Sequence, residues 1–210
     1  MISIIFPHAM NKENDKVLNL KLEMLEAHAT HPYELLILSN NGRRTDLVYE
    51  GWDWMMRRAK HELILWDNSD IVYGPNFMEN VIKHKDDADW LGLELVECGN
   101  LVVAQSNMEK DFGRTCETFR RKEFEDWVIE FSKNRPSIRE GFCWYSPSVW
   151  KKSWYIEMGG FDINPPFPHP NDMHFRNRVT GRGCRFAVVN SFAYHFQRAP
   201  QNRGELPELS

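Results

Sequence analysis

Three short strand-like runs constrain this chain most: Ile2 to Phe6, Leu35 to Leu38 and Glu62 to Trp66, each running straight into a polar stretch. Apolar runs without alternation are the mark of strands buried on both faces. Between the first two, Val17, Leu18, Leu22, Leu25 and Ala29 recur at three- and four-residue spacing, which predicts a helix over 15–29 that His31-Pro32 ends. Between the second and third, Thr45 to Lys60 reads as another helix, with Leu47 and Trp54 on its inward stripe. Strand-helix-strand-helix-strand in that order gives parallel strands joined by right-handed crossovers, the layout of a nucleotide-binding half-sheet.

Beyond residue 75 the pattern is less regular. A short helix is expected around 77–84, strands at 90–96, 101–104, 142–145 and 185–189, and a helix over 171–180 stopped by Gly181. Cys116 to Lys133 carries mixed charge with Phe119, Trp127 and Phe131 interspersed, which suits a long amphipathic helix. Arg120-Arg121-Lys122 within it reads as a solvated face, because Glu117, Glu123, Glu125 and Asp126 neutralise it locally. The polar tail from Arg198 onward is expected to be held by some contact. With 210 residues, a single α/β domain is the simplest division, its first half 1–105 and its second 106–210.

Lys and Arg number 26 against 30 Asp and Glu, so no basic field exists to hold a nucleic acid. The aliphatic runs fall far short of the roughly 18 to 20 residues that span a bilayer, so no transmembrane segment is expected. Strand-like sequence from Ile2 leaves no room for a signal peptide, and the scattered Cys98, Cys116, Cys143 and Cys184 read as reduced thiols in a cytoplasmic compartment.

Ligands of open α/β sheets sit beyond the carboxyl ends of the strands. Pro7, His8 and Asn11 follow the first strand, Ser39, Asn40 and Asn41 the second, and Asp67, Asn68, Ser69 and Asp70 the third. The third group offers two carboxylates and an amide within four residues, hard oxygen ligands suited to Mg²⁺ or Mn²⁺ rather than zinc. The same residues also serve as turn formers and helix caps.

The runs Ile2-Ser3-Ile4-Ile5-Phe6-Pro7 and Glu62 to Trp66, the latter leading into Asp67-Asn68-Ser69-Asp70-Ile71-Val72, resemble the nucleotide-sugar half of a family 2 glycosyltransferase with the GT-A fold. Gly159-Gly160-Phe161-Asp162, then Asn171-Asp172-Met173-His174-Phe175 with Arg178, then Tyr194-His195, match that family's later motifs in order. The resemblance implies an α/β, Rossmann-like, mostly parallel central sheet flanked by helices, with a smaller mixed sheet on the acceptor side. It implies transfer of a sugar, with inversion, from a nucleotide diphosphate-sugar to an acceptor hydroxyl of a glycan or glycoconjugate. A UDP-sugar is the favoured donor.

Carried over by position, Asn68 and Asp70 fall on the metal-binding acidic signature, with Asp67 as the competing first acid, and His195 on the late histidine that adds a metal ligand. Asp172 falls on the carboxylate that takes the acceptor proton. Pro7, His8, Asn40, Asp67, Asn68 and Asp70 are then donor-binding, and Gly160, Asp162 and Trp144 acceptor-binding. The chain departs from the family at Ser39-Asn40-Asn41, where an acid commonly meets the nucleotide, at Asn171, where an acid commonly precedes the base, and at His174. Two other readings use the same fold: a sugar nucleotidyltransferase, which wants a glycine-rich loop that Pro7 to Asn11 lacks, and a catalytically silent nucleotide-sugar or carbohydrate-binding module.

Overall fold

The computed structural model describes residues 1–8, 12–39, 48–98, 108–142, 146–162 and 171–196. The strand expected at 101–104, residues 143–145 of the strand expected at 142–145, the tail from 198, and Asn40 and Trp144 lie outside them; Phe142 itself is not in a strand. The elements are β1 (Ile2–His8), α1 (Lys12–His28), β2 (Tyr33–Ser39), α2 (Val48–Arg58), β3 (Leu63–Trp66), β4 (Ile71–Tyr73), α3 (Phe77–His84) and β5 (Trp90–Glu97). They continue with β6 (Met108–Glu109), α4 (Arg121–Ser132), β7 (Ile138–Glu140), β8 (Ser148–Lys151), α5 (Lys152–Glu157), α6 (Asn171–Gly181) and β9 (Phe186–His195).

One sheet runs in the order β2-β1-β3-β8-β5-β9-β4, with β6 beside β5 and β7 beside β9. β1 pairs parallel with β2 and β3, and β5 parallel with β9 and β6. β8 lies antiparallel between β3 and β5, while β4 and β7 run antiparallel to β9. The mixed part expected on the acceptor side is therefore continuous with the main sheet. β8, from the second half of the chain, holds the two parallel groups together.

Strand alternation divides the core. Ile4, Phe6, Leu63 and Leu65 pack on one face with Leu25 of α1 and Met78 and Val81 of α3. Ile5, Ile64 and Trp66 pack on the other with Trp52, Met55 and Met56 of α2, Tyr155 of α5 and Phe175 of α6. α2 turns Trp52 inward and leaves Trp54 45% exposed, its ring capped by the Arg58 guanidinium at 4.2 Å. The expected inward stripe through Trp54 is thus two residues off, because Trp52 and the Met55-Met56 pair present the larger apolar surface to the sheet.

The stretch after Asp70, expected as loop, forms β4, whose three residues are all buried. The strand expected at 185–189 extends through His195, with a register shift opposite Leu93/Glu94. Among the described residues no helix is long and apolar enough to cross a membrane.

Candidate active site

Register places the site. In the parallel β5/β9 pair Glu97 lies opposite His195, and in the antiparallel β4/β9 pair Ile71 lies opposite the same histidine. Asp70, the residue before Ile71, is thereby brought to the imidazole, and its carbonyl accepts the Phe196 amide at 3.0 Å. Asp70 Oδ2 stands 3.2 Å from His195 Nε2, and Glu97 Oε1 3.2 Å from His195 Nδ1. His195 and Glu97 are buried, whereas the Asp70 side chain keeps 23% of its surface open.

Burial alone would lower the His195 imidazolium, but the Asp70 carboxylate, seconded by Glu97, outweighs it and pushes the group up to about 10. Burial would likewise raise Asp70, yet the facing imidazolium holds it below the usual carboxylate range. Glu97 escaped the sequence reading. It is the acid that ends a buried strand, the same signal that singled out Asp67 to Asp70.

Asp67 takes a different place from the one expected of a donor ligand. It is fully buried, and its Oδ2 accepts from the Lys21 ammonium and the Tyr73 hydroxyl while Oδ1 accepts from the Asn68 amide at 2.7 Å. Those protein donors occupy both oxygens, so the carboxylate left open at this turn is Asp70's. Asn68 is half-buried and gives its carbonyl to Lys21 at 2.6 Å.

At the end of β1, Pro7 is half-buried and His8 buried; His8 Nε2 lies 2.8 Å from Asp15 Oδ1, and its Nδ1 is buried with no hydrogen-bond partner among the described residues. Asp70 and His195 fit the demands of a divalent cation. Two cis ligands on an octahedral ion of about 2.1 Å bond length lie about 3 Å apart, close to the separation found. A carboxylate on the far imidazole nitrogen is the usual orienting partner of a metal-bound histidine, and Glu97 stands there. Among the described residues no group of three or more His, Cys, Asp or Glu side chains could hold a metal ion, so this pair would leave the remaining positions to water and substrate oxygens.

The second group of predicted residues surrounds α6. Gly159 and Gly160 form a turn with φ of +90° and +68°, which L side chains rarely adopt. The Gly160 carbonyl accepts from the Arg178 guanidinium, and the Phe161 amide donates to the Tyr155 hydroxyl at 2.8 Å. That hydroxyl donates to Asp53 Oδ1 at 2.9 Å, and Arg57 grips the same carboxylate through two nitrogens.

So anchored, the turn drives Phe161 into the aromatic core, 5.2 Å from both Trp66 and Phe175, and presents half-buried Asp162 with His174 Nδ1 3.8 Å from its Oδ2. Asp172 sits in the first turn of α6 with Oδ1 accepting the Met173 amide at 2.8 Å. Burial pushes its carboxyl up, opposed by that amide and by the Tyr49 hydroxyl.

No known protein family and no curated protein sequence matches the chain. Solved structures do. The chain is similar to Staphylococcus aureus TarS 1-349, with TM-score 0.60 and 12% identity over 91% of this chain and 59% of that one. The TarS complex with UDP-GlcNAc gives 0.58 and 13% over 94% and 61%. GalNAc-T7 with UDP, GalNAc and Mn²⁺ gives 0.62 and 8% over 93% and 43%. The chain thus has the GT-A glycosyltransferase fold and spans about three fifths of the TarS length it matches.

Proposed function

We propose that this chain is a metal-dependent, inverting glycosyltransferase that moves a sugar from a nucleotide diphosphate-sugar, a UDP-sugar by preference, to a hydroxyl of a glycan or glycoconjugate. The observation that carries the reading is the convergence of Asp70, His195 and Glu97 at the carboxyl ends of the strands of a GT-A fold. UDP in the TarS and GalNAc-T7 structures, with Mn²⁺ in the latter, supports the donor and the cation.

Asp70 and His195 would hold the Mn²⁺ or Mg²⁺, with Asn68 beside them and Glu97 orienting the imidazole. Bound there, the ion supplies charge stabilisation to a departing nucleoside diphosphate. Pro7 and His8 at the end of β1 would face the rest of the donor, to which the resemblance also assigns Asn40; Asp67 serves this end of the sheet from inside the protein.

Asp172 is the base that takes the proton of the acceptor hydroxyl. A carboxylate need only remove that proton as the new bond forms, and a single displacement with one base inverts the anomeric carbon. Gly160, Asp162 and Trp144 belong to the acceptor side. Half-buried Asp162 and its neighbour His174 offer hydrogen-bonding groups of the kind that sugar hydroxyls need.

The test is calorimetric titration of UDP with Mn²⁺ and with chelator, followed by turnover of a UDP-sugar panel. Asp70→Asn is expected to abolish the metal-dependent part of UDP binding. Asp172→Asn is expected to retain donor binding and lose about 10²- to 10⁴-fold in transfer. Equal UDP affinity with and without metal refutes the cation site; unchanged transfer by folded Asp172→Asn moves the base role to Asp162. Tight binding with no turnover of any donor identifies a silent nucleotide-sugar-binding module.

A further inference from the structure

Lys21 stands at a core position of α1. It shares the buried stripe with Val17, Met24 and Leu25 and has no exposed surface, in a place where an apolar side chain would cost less desolvation. Its ammonium lies 4.2 Å above the Phe6 ring and 5.0 Å from that of Tyr73. It donates to two consecutive residues of the turn between β3 and β4, the Asp67 carboxylate and, at 2.6 Å, the Asn68 carbonyl. The same turn is pinned from its other side, where Trp52 Nε1 donates to the Asp67 carbonyl at 3.0 Å. Three residues beyond Asp67, the chain delivers Asp70 to His195.

We propose that Lys21 is a positioning residue for the donor-cation site, holding the turn 67–70 through Asp67 and the Asn68 carbonyl so that Asp70 and His195 keep the spacing of cis metal ligands. The inference rests on the proposed assignment of that cation site and goes beyond it by naming an interior residue on which the site depends. Asp67 has a defined part in it: it lies against the lysine, so that the Lys21 charge is balanced locally and the negative charge of Asp70 is left for the cation.

The experiment measures UDP affinity with Mn²⁺ and with chelator for wild type, Asp70→Asn, Asp67→Asn and the double variant Lys21→Met/Asp67→Asn. Lys21→Met alone strands a buried carboxylate and can fail to fold, whereas the double variant removes both partners together. Asp67→Asn, which keeps its amide oxygen and the Asn68 carbonyl within reach of Lys21, is the reference against which the double variant is read. Adding Lys21→Met is expected to lower the Mn²⁺-dependent affinity about 10- to 100-fold, the range seen when an orienting partner of a metal ligand is removed.

Metal-free UDP affinity and near-ultraviolet circular dichroism are expected to stay unchanged, which separates lost positioning from general loosening. A folded double variant that matches Asp67→Asn in Mn²⁺-dependent affinity overturns the inference, as does one that loses metal-free affinity in equal measure. Wild type that gains nothing from Mn²⁺ overturns the cation site itself, and shows it before any variant is made.

Discussion

Replacing Gly160 with alanine tests whether the glycine turn is a strained junction or a loose connection. An added Cβ would lie 2.7 Å from Asp53 Oδ1, 3.0 Å from Arg57 Nη2 and 3.1 Å from the Tyr155 hydroxyl oxygen. Those atoms are not free to swing away, because Asp53 is held by both Arg57 and Tyr155, and Tyr155 in turn holds the Phe161 amide. Gly159 supplies the control: its φ is also positive, but among the described residues its Cβ would meet nothing closer than Arg178 Nη2 at 3.9 Å.

Placing an L residue in the left-handed region costs about 1–2 kcal/mol, partly offset by about 0.4–1 kcal/mol from the stiffer unfolded chain. Gly159→Ala is therefore expected to cost about 1 kcal/mol. Gly160→Ala adds the displacement of Asp53 from two partners, about 1 kcal/mol or more for each hydrogen bond, and is expected to cost about 3 kcal/mol. Urea unfolding at unchanged m-value reads both numbers. In an Asp53→Ala background the excess for Gly160→Ala should vanish, as a coupled pair requires. Equal costs for the two glycines, or an excess that survives Asp53→Ala, would falsify the argument that this network fixes the turn.

Three further outcomes can be measured. Asp70 and Glu97 push the His195 imidazolium up to about 10, so Mn²⁺ binding near pH 7.5 is expected to displace its proton; calorimetry in buffers of different ionisation enthalpy is expected to show about one proton released per ion, and none if Asp70 binds the ion alone. The raised value also means that His195 adds stability to the metal-free fold that is complete below about pH 6.5 and lost as pH rises through about 10, a slope that Glu97→Gln is expected to flatten in urea unfolding at several pH values. Phe161→Ala should cost about 3–5 kcal/mol, since its ring meets Trp66, Tyr155 and Phe175 in the core; a loss under about 1 kcal/mol would show that the turn is not seated by that ring.

The first three strands and their crossover helices could be read directly because each is a local pattern of apolar run, helical stripe and polar stop, but β2, expected to be buried on both faces, lies at the sheet edge and is half-buried to exposed. β4 could not, since three residues following Asp67-Asn68-Ser69-Asp70 carry too short a pattern to outvote the turn formers, and only pairing with β9 makes them a strand. β8 hides for a similar reason, as its place between β3 and β5 is a long-range choice. Asp70, His195 and Asp172 were legible as motif positions. Glu97 was not, because its meaning comes from the register that sets it opposite His195. Asp67 was legible as an acid and illegible as a buried one, since its partner Lys21 lies 46 residues earlier on a helix whose pattern gives no reason to expect a cation inside.

The two halves of the proposed site meet at consecutive residues. Strand alternation turns Trp66 toward α2, α5 and α6, where it packs against Trp52 at 5.1 Å and Phe161 at 5.2 Å, and lets the following residue, Asp67, reach Lys21 of α1. Trp52 joins the two sides directly, because its indole nitrogen donates to the Asp67 carbonyl while its ring meets Tyr49 at 5.2 Å. Tyr49 in turn is among the groups that hold the buried Asp172 carboxyl down against the upward push of burial. Packed side chains and hydrogen bonds therefore run from the proposed acceptor base, through α2, to the turn that carries the proposed metal ligand. A transfer reaction needs the base, the acceptor oxygen and the donor carbon held within fractions of an ångström of one another. Trp52 of α2 and Trp66 at the end of β3 seat both ends of the proposed site on one packed pair.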